Sequence, residues 1–575
     1  MAKRKYDHKK LFTPINTMLA GVFLSAAAMF MPIYWELFAG DLGCGVKTLL
    51  VSAHNAVRLF MLGCDFELIV SALLTAPGWE GHWYPVLAAV LYVLAPILTF
   101  GFILSFFKNI SAYMQYMGHW RSDAYVFSEL NEKALSLALS IRETHPRAVI
   151  LFADAYAGKN KENSELIEQA QRAGALCFKK DVLSFNLDLH SKRAELSLFV
   201  LSEDSEKSME QTLGLMGLYK NRAHTHLYLF SSDVESELLV NGTQRGKIKI
   251  RRINEARSLI NWMLYENGEE IFESAADMGD GRKRISVLIV GLGKLGSEML
   301  RTLTWFCQMD SYEVRLNAVD ADPAAKSRFA ASCPALMSEK YNGVCAEGEA
   351  QYRIDVHAGV DAETEEFEKL IHELETPTFV VVALGSDELN ISTAVKLRML
   401  FERKGEKPVV RAVVQSNAKC EALKNARNFR GAAYDIILMG DLRSSYSEKV
   451  IIDSALEEDA LARHLKYSDD EEDFWAYEYN YRSSLAAAIH RKIRLACGIP
   501  GADKSNEELT EQEREIIESL EHRRWNAYML SEGYVFSGTT QRESRNDLAK
   551  MHPDLVPFSQ LSEEEKRKDS RLGTK

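Results

Sequence analysis

Three glycines at fixed spacing, Gly291, Gly293 and Gly296, are the residues of this 575-residue chain that most directly suggest chemistry. In such a turn the first glycine permits a tight reversal after a strand. The second lets a phosphate approach the backbone, and the third lets a helix pack closely on the strand. Asp320 ends the next apolar run, where a carboxylate can accept hydrogen bonds from the free hydroxyls of a ribose. The spacing predicts a site for NAD(H) or another adenine nucleotide, with helix amides facing its phosphates.

The glycine turn needs a strand before it and a helix after it, and the surrounding pattern supplies both. Apolar runs at 285–290 and 314–319 predict strands, and 297–306 predicts the helix between them. Earlier runs that predict strands lie at 123–127, 148–152, 195–201 and 226–230. Short apolar runs that alternate with helices are typical of parallel sheets covered on both faces.

The fold class that we predict is α/β, with transmembrane helices, two Rossmann-like domains and a small, mostly helical C-terminal domain. The Rossmann-like domains are expected at 118–270 and 283–455, followed by a helical linker at 456–504. The first of them lacks the glycines, and its turn at 128–131 carries side chains that obstruct a pyrophosphate. We expect a structural role for it, although Asp154 stands where a ribose-binding acid would.

Two long uncharged stretches begin the chain. No charged residue occurs from 11 to 35 or from 84 to 107, and each stretch exceeds the ~20 residues that cross hydrocarbon as a helix. Within a transmembrane region at 1–117 we predict spans at about 12–36 and 84–107. Basic residues flank both spans, which predicts a multi-pass protein of the inner or plasma membrane with both termini in the cytoplasm.

The segment between the spans has structure of its own. Apolar residues recur at helical spacing from 45 to 62, which predicts an amphipathic helix on the membrane or beside a pore. Two spans around a short helix form the layout of a minimal cation channel, but no Thr-Val-Gly-Tyr-Gly filter is present. Cys44 and Cys64 lie here, where a disulfide would close the loop. The other cysteines lack metal-ligand spacing, so we expect no metal site.

The nucleotide-binding region resembles the TrkA-N, or RCK, domain that regulates potassium channels and transporters. The resemblance covers about 284–420 and rests on 290–296, Asp320, 381–390 and 410–412. Residues 120–250 look like a divergent copy. The resemblance implies that the nucleotide is bound by Gly291, Gly293, Gly296, Asp320, Gly385, Asp387, Asn390 and Arg411.

The C-terminal residues 505–575 resemble the RyR domain, the repeat first described in ryanodine receptors. The resemblance rests on 521–525, 532–534 and 552–558, followed by Leu561 and Lys566. It implies a sensory module for a nucleotide-derived ligand, with a cationic and aromatic surface. The candidate ligand residues are His522, Arg523, Arg524, Trp525, Tyr528, Lys550 and His552. The alternative is that Trp525 and Tyr528 are core residues and the arginines are solvated.

Together these features predict a nucleotide-sensing membrane protein of the RCK-regulated channel or transporter class. The expected partners are membrane lipid, a small nucleotide and further copies of the chain, and the net charge of −12 argues against nucleic acid. A non-conducting, membrane-tethered sensor or effector in stress or antiviral signalling is the alternative. We expect no enzyme, since the isolated histidines sit in no catalytic motif; an NAD-dependent oxidoreductase is the last alternative. These histidines are His357, His372, His464 and His490.

Overall fold

The computed structural model divides the chain into two compact units, Met1–His119 and Trp120–Lys575. It describes residues 14–61, 63, 67, 70, 86–100, 116–156, 161–185, 187, 190–202, 204–233, 235–238, 246–343, 351–452, 454–466 and 468–573.

The first unit contains three described helices, α1 (Pro14–Leu37), α2 (Cys44–Phe60) and α3 (Val86–Phe100). Among the described residues α1 alone is long and apolar enough to cross a membrane, by length and composition. The second expected span, 84–107, is described only at 86–100, where the structure has the apolar helix α3. The remainder of that stretch and Cys64 lie outside the described residues.

The first unit buries three polar residues of α2 and exposes many large apolar ones. The three helices share a core that includes five alanines, Ala26, Ala27, Ala56, Ala88 and Ala95. The predicted helix after the first span is confirmed, and its buried face carries Thr48, Ser52 and Asn55. Asn55 Nδ2 donates to the Tyr34 hydroxyl at 2.8 Å. Val46 and Leu50, on its apolar face, are each 65% exposed.

Two parallel sheets form the centre of the second unit. The first sheet has the strand order β3-β2-β1-β4-β5-β6, which is the order of doubly wound nucleotide-binding folds. Its strands are β1 (Ala124–Phe127), β2 (Val149–Phe152), β3 (Leu176–Cys177), β4 (Leu196–Val200), β5 (Thr225–Phe230) and β6 (Lys249–Ile253). The helices that follow these strands are α4 (Glu132–Thr144), α5 (Lys161–Arg172), α6 (Ser205–Tyr219) and α7 (Glu255–Asn267).

The second sheet repeats this order as β10-β9-β8-β11-β12-β13, with a short strand, β7 (Ala276–Asp277), antiparallel to β8. The helix α8 (Glu269–Glu273) precedes β7. The six parallel strands are β8 (Lys283–Val290), β9 (Tyr312–Asp320), β10 (Tyr352–Ala358), β11 (Phe379–Val382), β12 (Val409–Val413) and β13 (Ile436–Met439). The helices between them are α9 (Lys294–Phe306), α10 (Ala325–Ser332), α11 (Glu365–Glu373), α12 (Asp387–Lys404) and α13 (Asn417–Leu423).

These sheets confirm the α/β class and the predicted strands, with shifts of at most two residues at their ends. The helix after the glycine turn begins at Lys294, not at 297, so Gly296 lies within its first turn. The central strands are buried on both faces, and β1, β2 and β11 are buried at every position, which explains their uninterrupted apolar sequences.

Helices make up most of the chain after β13. They are α14 (Leu442–Ser445), α15 (Glu448–Ile451), α16 (Ala455–His464), α17 (Glu471–Ala476), α18 (Glu478–Ala496), α19 (Glu511–Ser531) and α20 (Glu563–Gly573). Two short strands, β14 (Val535–Phe536) and β15 (Met551–His552), pair after α19. The Thr510 side chain caps α19 and Glu513 completes the capping box, as the sequence predicts. Tyr528 of α19 packs edge-on against Trp305 of α9, so the C-terminal helices rest on the helix that follows the glycine turn.

Candidate functional site

The glycine turn joins β8 to α9 and has little room for side chains at two of its three glycines. Gly291 has a φ of +98°, and a Cβ there would lie 2.5 Å from the Ala383 carbonyl oxygen. At Gly296 a Cβ would lie 1.8 Å from the Gly291 oxygen. Both glycines are therefore required by the packing of backbone on backbone.

Gly293 is different, because a Cβ at this position would meet no atom within 4 Å. Its φ of −65° and ψ of −164° are open to other residues, so the fold itself does not require glycine. Gly293 is the N-cap of α9, and Lys294 is exposed beside it. Lys294 forms no ion pair with any residue that the structure describes. A backbone position without a side chain, the N-terminus of a helix and an ammonium group therefore lie next to one another, as a phosphate site requires.

Asp320 lies at the end of β9, beside the same turn. One carboxylate oxygen accepts a hydrogen bond from the Leu292 amide at 2.6 Å, and the other accepts from the Asp322 amide at 2.8 Å. The register of the two strands places Val319 opposite Val290, so the acid follows directly beside the start of the turn. A ribose that bonds to Asp320 has to share or replace the hydrogen bond to Leu292.

A cleft of about 880 Å³ opens beside the turn, between the carboxyl ends of the two sheets. We call it the glycine cleft. One wall comes from Leu292, Gly293, Lys294, Ser297 and Arg301. The opposite wall, at the first sheet, carries many hydroxyl groups, from Ser202, Ser205, Ser208, Ser231, Ser232 and Ser258. Hydroxyl donors facing cations suit a ligand with phosphate and ribose groups.

The remaining residues expected from the RCK resemblance have different positions. Gly385 has no atom within 4 Å of a Cβ and lines a second cleft of about 1220 Å³, next to the first. Asp387 accepts hydrogen bonds from the Gln415 and Ser416 amides at 2.9 and 3.1 Å. This acid fixes the loop after β12.

Asn390 and Arg411 are also held by the protein itself. The Asn390 side chain accepts from the Leu384 amide and donates to the Val413 carbonyl at 2.7 Å. Arg411 is buried in β12 and donates to Glu270 of α8 at 2.6 Å. Arg411 lines neither cleft, whereas Asn390 lines the second one, and both side chains are held by bonds within the protein.

In the first sheet, a lysine neutralises the acids at the position that corresponds to the glycine turn of the second sheet. Lys207 Nζ lies 3.1 Å from Asp154 and 3.5 Å from Glu129. The Ser128 hydroxyl accepts from the Leu201 amide, and Asn131 donates to the Leu201 carbonyl at 2.8 Å. Internal side chains thus occupy the space where the second sheet has glycines.

The candidate RyR residues take part in packing. His522 bonds to the Val556 carbonyl at 2.8 Å, Arg524 is fully buried against Glu521, and Tyr528 is a core residue. The sequence had left core and ligand roles open for these side chains. The other four surround them: Trp525 packs edge-on against His552, Lys550 donates to the Glu532 carbonyl, and Arg523 is half-buried. Burial lowers the pKa of His552 to about 4.

The sequence analysis missed the four cations that line the glycine cleft, Lys133, Lys294, Arg301 and Arg328. Lys294 stands inside the glycine motif, so its place at the helix N-terminus was a usable signal. Arg301 lies two helical turns further on, and Arg328 belongs to α10, where spacing alone gives no indication. No protein-family model matches this chain, and no curated protein matches it.

Proposed function

We propose that this protein is a nucleotide-sensing membrane protein of the RCK-regulated channel or transporter class. Its ligand is NAD(H) or another adenine nucleotide, bound in the glycine cleft. The observation that carries the proposal is the open backbone at Gly293 beside Lys294, which has no ion pair among the described residues, with Asp320 hydrogen-bonded to the same turn. The pyrophosphate faces Gly293 and the N-terminus of α9, and a ribose faces Asp320.

The polarity of the first unit supports a place in the membrane. Five alanines lie in the contacts between its helices, beside larger residues such as Phe30 and Leu59, while large apolar side chains such as Leu24, Val57 and Ile97 are exposed. Small contact residues of this kind are typical of helices packed in lipid. We propose two crossings, at about 12–36 and 84–107, with both termini in the cytoplasm and the helix α2 on the outer side.

The control mechanism that we propose is a shift between an empty and an occupied state. A nucleotide in the cleft touches both sheets, and its ribose competes for the Asp320 bond to Leu292. The ligand therefore has different contacts in the two states, which a population shift requires. Residues 108–121 join the second span to the first sheet and would carry the change, with several copies of the chain around a pore.

Replacing Asp320 by asparagine is expected to weaken binding of NAD+ or ATP roughly 10- to 100-fold, because a charged acceptor of ribose hydroxyls is lost. Titration calorimetry on the full-length protein in detergent measures the effect, after mass spectrometry has identified any nucleotide that copurifies. Asp361→Asn is the matched control, since Asp361 also accepts a local backbone amide, that of Glu363, whereas Asp320 accepts the Leu292 amide of the glycine turn. Equal affinity in the Asp320 and Asp361 variants would refute the proposed site.

Nucleotide-dependent ion flux is the second expectation. The full-length protein in vesicles of phosphatidylethanolamine and phosphatidylglycerol is expected to pass potassium at a rate that NAD+, NADH or ATP changes by at least several-fold. The Asp320→Asn variant should need correspondingly more nucleotide. Binding without any flux would exclude the channel and leave the membrane-tethered sensor as the function.

A further inference from the structure

The loops that enter the first sheet share one edge, because parallel strands begin at the same edge of a sheet. This edge lies opposite the carboxyl ends of the strands, where the glycine cleft opens. The loops are 120–123, 145–148, 190–195, 220–224 and 246–248. They precede the adjacent strands β2, β1, β4, β5 and β6, which span roughly 19 Å at the usual spacing of strands.

Hydrogen bonds hold these loops side by side. The Ser191 amide donates to the Trp120 carbonyl at 2.9 Å, and the Lys247 amide donates to the Lys220 carbonyl at 2.7 Å. The buried guanidinium group of Arg222 joins two of the loops, since it donates to the Ser191 carbonyl at 2.7 Å. The loops therefore form one continuous surface.

This surface has an excess of positive charge, and we call it the basic edge. Its exposed cations are Arg121, Arg147, Lys192, Arg193, Lys220 and Lys247. None of the six forms an ion pair with a residue that the structure describes. The same loops contain two acids, Asp123 and Glu195, and Glu195 lies 3.0 Å from His224. In a chain with a net charge of −12, this concentration of cations indicates an anionic partner.

Apolar groups stand among these cations. Trp120 is 43% exposed, and the guanidinium group of Arg121 lies 4.7 Å from the centre of its ring. Leu218, near the end of α6 and close to Lys220 in the chain, is 56% exposed. Tryptophan and leucine beside basic residues are typical of surfaces that meet lipid, where the rings lie at the level of the headgroups. The anionic partner therefore also offers an apolar phase.

The position of the basic edge in the chain favours a membrane as this partner. Only residues 108–123 separate the proposed span at 84–107 from β1, whose first residue lies at this edge. A short tether raises the effective concentration of the bilayer at the basic edge. The cytoplasmic leaflet carries anionic lipids, which attract basic segments next to a membrane span.

We propose that the basic edge binds anionic lipid headgroups of the cytoplasmic leaflet. The cations of the loops before β4, β5 and β6 contact the headgroup phosphates, and Trp120 enters the headgroup layer. The inference rests on the proposed place in the membrane and does not depend on nucleotide binding. It gives the first sheet a partner of its own, at the edge opposite the glycine cleft.

Lysine acetylation tests this proposal. The full-length protein is placed in lipid discs of phosphatidylcholine, or of an equal mixture with phosphatidylglycerol, and its acetylation by acetic anhydride is followed by mass spectrometry. We expect Lys192, Lys220 and Lys247 to react several-fold more slowly in the mixture, and raised salt to remove the difference. Lys369 of α11, exposed and paired with Glu365, should react equally in both. Failure to enter either disc would refute the membrane location itself.

A double variant shows whether the cations cause the protection. Lys192→Gln with Arg193→Gln removes two exposed charges, and we expect the protection of Lys220 by phosphatidylglycerol to fall at least about twofold. Lys369→Gln with Lys407→Gln is the matched control, also at exposed positions.

Three results would overturn the proposal. The first is equal acetylation of the basic edge in the two lipids. The second is slow acetylation in both, which would show that protein covers the basic edge, such as the acidic run 468–473 of a second copy. The third is the same protection of Lys220 in the two double variants.

Discussion

The Gly293→Val variant is expected to lose nucleotide binding and to keep its fold. The position has no atom within 4 Å of a Cβ, and its backbone angles are open to valine. Its side chain would, however, occupy the space where the proposed pyrophosphate approaches the N-terminus of α9. We expect affinity for NAD+ or ATP to fall by more than about a hundredfold, since a displaced phosphate loses several charge-assisted hydrogen bonds.

Two measurements separate a blocked site from a damaged protein. Titration calorimetry gives the affinity, and the thermal unfolding midpoint of Gly293→Val should stay within about 2 °C of the wild type, as for a surface substitution. Gly296→Ala is the contrasting variant. Its Cβ would lie 1.8 Å from a backbone oxygen, so we expect a loss of stability of about 2 kcal/mol or more. Unchanged nucleotide affinity in Gly293→Val would show that no phosphate lies against this turn.

Glu532→Gln is expected to destabilise the protein by about 3 kcal/mol at pH 7. Glu532 lies 3.0 Å from Arg257 of α7 and 3.2 Å from Arg482 of α18. Burial alone would raise the pKa of this carboxyl, but the two guanidinium groups outweigh it and lower the pKa to about 2. Because the folded pKa lies below the unfolded value of ~4.5, this stability is complete above that pH and is lost as the pH falls towards 2.

Urea unfolding at pH 7 and pH 3 measures this contribution. The wild type should lose stability between the two values, and the part that Glu532 contributes should be missing from the loss in Glu532→Gln. Glu564→Gln is the control, because Glu564 pairs with Arg542 at an exposed position and should contribute less than about 0.5 kcal/mol. Equal midpoints at pH 7 for Glu532→Gln and the wild type would contradict the expectation.

The ion pair of Arg257 with Glu532 is connected to the glycine cleft through a further residue, Glu298. Arg257 bonds to Glu298 of α9 as well as to Glu532, and Glu298 lines the base of the cleft. A change in the position of α9 therefore acts on the end of α19 through one guanidinium group. The C-terminal helices are connected to the glycine cleft by this contact.

The parallel strands and the glycine turn were predictable because their signals are local. A strand buried on both faces needs an uninterrupted apolar run, and the turn needs glycines where backbone meets backbone, as at Gly291 and Gly296. The roles of Asp387 and Asn390 were not predictable from sequence. A carboxylate that fixes a loop and one that binds a ribose occupy the same place in a motif, and only the partners in space tell them apart.

The burial of charged residues was the second feature that could not be predicted from the sequence. Charged residues are rarely fully buried unless they are paired, so nothing in the sequence marked Arg494 and Arg524 as interior residues. The sequence also did not predict which face of α2 contacts the neighbouring helices. An apolar stripe turns inward in water and outward in lipid, so the pattern of Val46 and Leu50 fixes the helix but not the face that contacts its neighbours.

The ion pair of Lys207 with Asp154 gives the two sheets unequal roles. The first sheet is electrostatically complete without a ligand, because its acid is already neutralised by a side chain of the chain itself. In the second sheet, Lys294 has no ion pair among the described residues and the turn is open at Gly293. The two walls of the glycine cleft therefore differ in charge balance: the acid of the first sheet already has its counter-ion within the protein, whereas the lysine of the second sheet is left to take one from solution.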